Sequence, residues 1–162
     1  MSLEPGERGQ LVAQYREGVD AVEAALEGVT EAELDHRPGP GEWTIREVVH
    51  HLADSEMTSA IRIRRLLAED QPTLQGYDQE EFVRRLHYAD RPIGSALSAI
   101  RAARETTAEI LDLMTPADWQ RKGTHTESGE YHVEGWLRIY SRHCHDHADQ
   151  IRRARTAPVG QA

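Results

Sequence analysis

The chain has 162 residues, enough for one domain with its own core, and a formal charge of −9 from 19 Lys and Arg against 28 Asp and Glu. That field repels a phosphate backbone and argues against a nucleic-acid partner; no run reaches the ~18 apolar residues of a membrane span, and no signal-peptide core opens the chain. Cys144 is the single cysteine, so no intrachain disulfide can form, and a reducing cytoplasm is the expected compartment.

Glu7 to Glu27 reads as an amphipathic helix, with Leu11, Tyr15, Val19, Val22 and Leu26 at steps of three and four, ended by Gly28. Thr30 to Leu34 reads as one capped turn, and Pro38-Gly-Pro-Gly41 breaks the chain. Thr44-Ile-Arg-Glu47 is a capping box that starts a second helix running to about Leu67. On that helix Arg62, Arg64 and Arg65 read as a solvated face near the bundle end. Asp78 to Glu81 is a weaker cap for a short helix through His87. Asp90 and Pro92 suit the start of a third long helix, with Pro in its first turn. Its buried side is marked in part by Ile93, Leu97, Ile100, Ile110, Leu111 and Met114.

Thr115 to Trp119 echoes Thr30 to Leu34 in pattern, which suits two helix pairs. Arg121 to Tyr131 is a polar, Gly-containing loop or hairpin, and a last long helix runs from about Val133 to Arg155. Almost nothing alternates with period two. The expected fold class is therefore all-α: four long helices packed as a bundle, with short extra helices and loops, in a single domain over 1–162.

Nine histidines stand out, five of them in two groups, His50 with His51 and His143 with His145 and His147; His125 and His132 sit in or beside a loop, and His36 and His87 stand alone. An α-helix advances about 100° per residue, so His143 and His147 lie about 40° apart on one face, with Trp136, Tyr140 and Ile151 on the same side. His145 is turned about 200° from His143 and is expected to be exposed. On the second helix, Ile45, Val48, Leu52, Ile63 and Leu66 form the apolar stripe. His51 lies at its edge, about 60° from Val48 and Leu66, whereas His50 is turned about 100° further, onto the polar side.

Neutral imidazole is a good ligand for divalent transition metals, and two His four apart on a helix can share an ion. A third ligand from a facing helix gives three nitrogens and leaves a position for water or substrate, the pattern of catalytic sites. The metal candidates are thus His51, His143 and His147; hydrogen-bonded interface histidines are the competing reading of the same spacing. Zinc and nickel are the foremost ions, with iron and manganese next. Glu56, inside the apolar arc of its helix, and Gln150, on the His143 face, are candidates to orient these ligands. Cys144 reads as core, and Trp43, Trp119 and Trp136 as packing residues.

At these residues the chain resembles the DinB/YfiT-like family of metal-dependent enzymes. The matching stretches are Gly41-Glu-Trp-Thr-Ile-Arg-Glu-Val-Val-His-His-Leu-Ala-Asp-Ser-Glu56 and His143-Cys-His-Asp-His-Ala-Asp-Gln-Ile151, with Leu67 to Tyr77 resembling the YfiT branch. The resemblance implies an up-down-down-up four-helix bundle, often a homodimer, holding a metal on His51, His143 and His147. Members are labelled metal-dependent hydrolases, and relatives transfer low-molecular-weight thiols such as bacillithiol or mycothiol. The expected function is a metal-dependent hydrolase or thiol S-transferase acting on a small electrophilic substrate. The competing class is a non-enzymatic metal-binding or stress-response interaction protein.

Overall fold

Capping chemistry sets the element boundaries in the computed structural model, which describes residues 3–156. Helix α1 spans Pro5–Leu26, and Gly28 follows at φ +69°, a conformation that costs glycine nothing. The short α2, Glu31–Asp35, and the long α3, Ile45–Ala68, each open on a complete capping box, Thr30 with Glu33 and Thr44 with Glu47. Asp78 caps α4, Gln79–Arg85, by accepting from the Glu81 amide. Helices α5, Gly94–Leu113, and α6, Val133–Thr156, complete the set.

Two expected boundaries shift. α4 stops before His87, which adopts a left-handed conformation at φ 53°. Asp90 does not start the next helix, because it closes a 3-10 turn over Tyr88–Asp90; Pro92 then precedes α5 instead of sitting in its first turn.

The four long helices form a bundle in which α1 packs on α6 and α5, and α3 packs on α5 and α6. Cross-helix bonds give the directions. Leu3 bonds Glu134, Gln14 bonds His145 and Ala25 bonds Arg155, so α1 and α6 run parallel. Arg16 reaches Asp112 while Arg101 reaches Asp20, so α5 is antiparallel to α1. Ser59 meets Trp136 and Glu56 meets His143, so α3 is antiparallel to α6. The order is up-down-down-up, as expected.

A small sheet, absent from the period-two reading, covers one end. Strands β2, Lys122–His125, and β3, Gly129–His132, form the hairpin expected in this segment, and the two-residue β1, Thr73–Leu74, adds in parallel to β2. Two residues of strand are too few to leave a periodic signal.

The core divides into two apolar clusters. One gathers Val19, Val48, Leu52, Ile100 and Ile151; the other gathers Tyr15, Ile63, Leu66, Leu111, Trp136 and Leu137. Between them lies a buried polar layer centred on Glu56 and Arg104. The arginines of α3 are not a solvated face. Arg64 bonds Thr107 of α5 at 3.0 Å, Arg65 bonds the Thr73 carbonyl at 2.9 Å, and Arg62 bonds the Tyr140 hydroxyl of α6 at 3.3 Å. Their long stems let guanidinium groups reach back across the seams. No helix among the described residues is long and apolar enough to cross a membrane.

Candidate metal centre

His51 projects from α3, and His143 and His147 from one face of α6, into the same seam. One nitrogen from each ring lies within 4.8 Å of the others. Ring centroids are 4.7 Å apart for His143 and His147, 4.9 Å for His51 and His147, and 5.6 Å for His51 and His143. Antiparallel packing of α3 on α6 makes this possible, since it sets the His51 level against the middle turns of α6.

Two of the three rings are already engaged through an outer nitrogen. His143 Nδ1 lies 3.1 Å from Glu56 Oε1, and His147 Nδ1 lies 2.7 Å from Gln150 Oε1. Carboxylate and amide oxygens only accept, so each ring donates through Nδ1, which leaves Nε2 as the candidate ligand atom. Burial, then the neighbouring His147 and His143 rings, push the His51 pKa down to about 3; burial, then His143, push His147 down to about 4. These two rings are therefore neutral at pH 7, the form that ligates metal.

Glu56 is fixed from the far side. Arg104 of α5, 1% exposed, donates to Glu56 Oε1 at 3.0 Å and to the Tyr140 carbonyl at 2.6 Å, also bonds the Tyr15 carbonyl, and lies 4.2 Å over the Tyr15 ring. One guanidinium thus joins all four long helices. Burial alone would raise the Glu56 pKa, but the charge of Arg104 and hydrogen bonds from His143 and Arg104 outweigh it, and the carboxyl stays ionised. Gly18 on α1 leaves the space: a Cβ there would lie 2.5 Å from an Arg104 nitrogen and 2.9 Å from Cys144 Cβ.

Beside His147 a cleft of about 470 Å³ opens between Trp43, Glu42, Glu80, Gln150 and Arg153. Trp43 forms one wall, its ring 4.8 Å from His51 and its Nε1 donating to Glu80 at 3.1 Å. It was expected to be packing alone. Trp119 and Trp136 are packing residues, and Cys144 is fully buried core.

Helical wheels selected the converging histidines correctly but misplaced their neighbours. His50 is buried, 1% exposed, and donates through Nε2 to the Arg91 carbonyl at 3.0 Å, because the 3-10 turn folds over the side of α3 expected to be polar. His145 is half-buried and donates to the Gln14 carbonyl at 2.9 Å, because α1 packs along that face of α6. Arg104 went unnoticed in the sequence. Its signal was present: it sits in the apolar arc defined by Ile100, Thr107, Ala108 and Leu111.

A family model described as the DinB superfamily matches residues 14–151. Among the relatives, a protein of Oceanobacillus iheyensis named "Putative metal-dependent hydrolase" is 34% identical over 119 residues, covering 74% of this chain and 69% of the relative. YfiT of Bacillus subtilis, with the same name, is 30% identical over 128 residues, covering 78% and 72%. The solved structure of YfiT, described as "a probable metal-dependent hydrolase with an unusual four-helix bundle topology", matches with a TM-score of 0.89 at 26% identity, over 94% of this chain and 88% of that one. The four-helix bundle protein TT2238 shares the fold with a TM-score of 0.64 at 23% identity, over 90% and 98%.

Proposed function

The chain belongs to the DinB superfamily, and from that premise we propose that it is a metal-dependent hydrolase of a small-molecule substrate, with His51, His143 and His147 holding one divalent ion. The observation that carries this reading is the convergence of three imidazole nitrogens within 4.8 Å, two of the rings oriented by acceptors on their outer nitrogens.

The residues suit such an ion. An all-nitrogen donor set favours zinc, nickel or iron over magnesium or calcium, and neutral rings need lose no proton to bind. Three protein ligands, with no fourth His, Cys, Asp or Glu in the cluster among the described residues, match a site that keeps a position for a reactant. A bound divalent ion supplies Lewis acidity, bringing the pKa of a coordinated water or thiol toward neutrality.

The chain's own groups do the rest. Glu56 holds the Nδ1 proton of His143, which fixes the ring and strengthens Nε2 as a donor; Gln150 does the same for His147. Arg104 keeps Glu56 charged and immobile. Trp43 closes the seam beside His51 and limits water on that side. The cleft beside His147 has room for a small molecule.

Hydrolysis is the first reading because relatives carry that name. Low-molecular-weight-thiol S-transfer would use the same three histidines with a thiol in place of water. The test is a paired screen with and without chelator: esters and amides in water, and bacillithiol, mycothiol or glutathione with reactive electrophiles. Chelator-sensitive turnover of esters or amides supports hydrolysis. Chelator-sensitive consumption of thiol alone replaces it with S-transfer, and no metal-dependent turnover in either panel counts against an enzyme. We also propose a homodimer, for which the exposed Met57 and Ile61, one turn apart on α3, offer an apolar face; light scattering decides it.

A further inference from the structure

The α3–α6 seam does not end at the histidines. Counting 100° per residue, Ser55 lies about 40° from His51 and Arg62 about 20° from it, so all three share one face of α3. On α6, Tyr140 precedes His143 by one turn, and its ring meets the His143 ring edge-on at 5.6 Å between centroids. Long helical side chains lean toward the N-terminus of their helix, so Arg62 reaches back along the seam toward His51.

There Arg62 donates to the Tyr140 hydroxyl at 3.3 Å and to the Gln75 carbonyl at 2.6 Å. Its Nε–H is buried and has no hydrogen-bond partner. Many arginines of this acidic chain hold a carboxylate, as Arg8, Arg104 and Arg155 do. For Arg62, by contrast, both hydrogen-bond partners are neutral oxygens. On the hairpin the buried His125 stacks on Tyr131, with ring centroids 5.6 Å apart. The nearby Asp54 is already engaged by the Tyr88 hydroxyl.

A half-buried guanidinium with an unpartnered Nε–H, bonded to a phenol hydroxyl and a carbonyl and with no carboxylate among its hydrogen-bond partners, is suited to receive an anion. We propose that Arg62 and Tyr140 form an oxyanion-binding subsite that seats a carboxylate, phosphate or sulfonate group of the substrate, on the seam one turn of α6 before His143. The proposal rests on the reading of the histidine cluster as the reacting centre, and it narrows the substrate to a small molecule with an anionic group close to its reactive bond.

The test uses chelator-stripped full-length protein, so that anions cannot be counted through a metal ion. Acetate, inorganic phosphate and methanesulfonate are titrated separately, with methylammonium as a cation control; affinity is read by isothermal titration calorimetry in the unaltered protein and in each variant, and the Arg62 Nε–H resonance of the unaltered protein is followed by ¹⁵N nuclear magnetic resonance. We expect a saturable shift with at least one anion and none with methylammonium. R62Q, checked for folding by circular dichroism, should weaken binding tenfold or more, and Y140F should weaken it less. Whichever of the three probes binds tightest names the group. The proposal is overturned by a non-saturating shift with all three anions, or by affinity unchanged in both R62Q and Y140F. Metal analysis of the same protein before stripping tests the histidine cluster separately, so the two ideas fail independently.

Discussion

Replacing Glu56 by Gln probes the link between the polar layer and the metal centre. The Glu56 and Arg104 side chains are 0% and 1% exposed, so their pairing occurs out of water. Gln keeps the shape of Glu56 but removes the charge, leaving the guanidinium uncompensated. Breaking a buried pair from one side costs about 3–5 kcal/mol, a large part of the ~5–15 kcal/mol that stabilises a domain. Removing the guanidinium as well, with Arg104→Met, eliminates the stranded charge. The double variant should therefore be more stable than Glu56→Gln alone, with a coupling of about 2 kcal/mol or more in a double-mutant cycle. Metal affinity should behave differently. Both variants lacking Glu56 lose the carboxylate that holds His143, so both should bind metal about ten- to a hundredfold more weakly. Urea titration measures the first effect and metal titration the second. A coupling below about 0.5 kcal/mol, or undiminished metal affinity in both variants, would refute the reasoning.

Gly18→Ala places a methyl group against Arg104 and Cys144; overpacking should cost about 1–3 kcal/mol, although alanine is the better helix former, and a stabilised variant in thermal melts would contradict the packing described. His50→Ala should retain stoichiometric metal yet lose about 1–3 kcal/mol of stability, because the Arg91 carbonyl loses a buried donor; calorimetry read against a metal titration separates the two. In chelator-treated protein, His51 and His147 stay neutral in the folded state down to pH about 3 and about 4. Above the unfolded pKa of ~6.5 neither state is protonated at these rings and they contribute nothing. Below it the unfolded chain binds protons that the folded chain refuses, so stability should fall with falling pH, by roughly 1.4 kcal/mol per unit for each ring. A flat urea midpoint from pH 7 to pH 5 would count against their burial. The same urea curves should show one cooperative transition, as a single domain requires.

The sequence made some parts of this protein legible because their chemistry is local. The capping boxes at Thr30 and Thr44 place two helix starts to the residue, and the four-residue spacing of His143 and His147 puts both on one face. The direction of the helices and the sheet topology depend on contacts between distant segments, and periodicity is silent about those. His50 shows the limit. On an isolated helix it points away from the apolar stripe, yet a 3-10 turn some forty residues later covers that side and turns a polar position into a buried one. Arg62 and Arg104 were hard to read for the opposite reason. Charge suggests solvent, whereas their reach lets them bury the stem and spend the guanidinium on partners in other helices. Trp43, next to a helix cap, gave no sign that it would lie against His51.

The central claim is that His51, His143 and His147 hold one divalent ion. Elemental analysis of protein purified without a metal-affinity tag, alongside His51→Ala, His143→Ala and His147→Ala, tests it most directly. The account predicts about one zinc, nickel, iron or manganese ion per chain in the unaltered protein, and none at stoichiometric level in any of the three variants. Full occupancy persisting in a folded His51→Ala or His143→Ala variant, or an unaltered protein that takes up no such ion when all four are supplied, would contradict it.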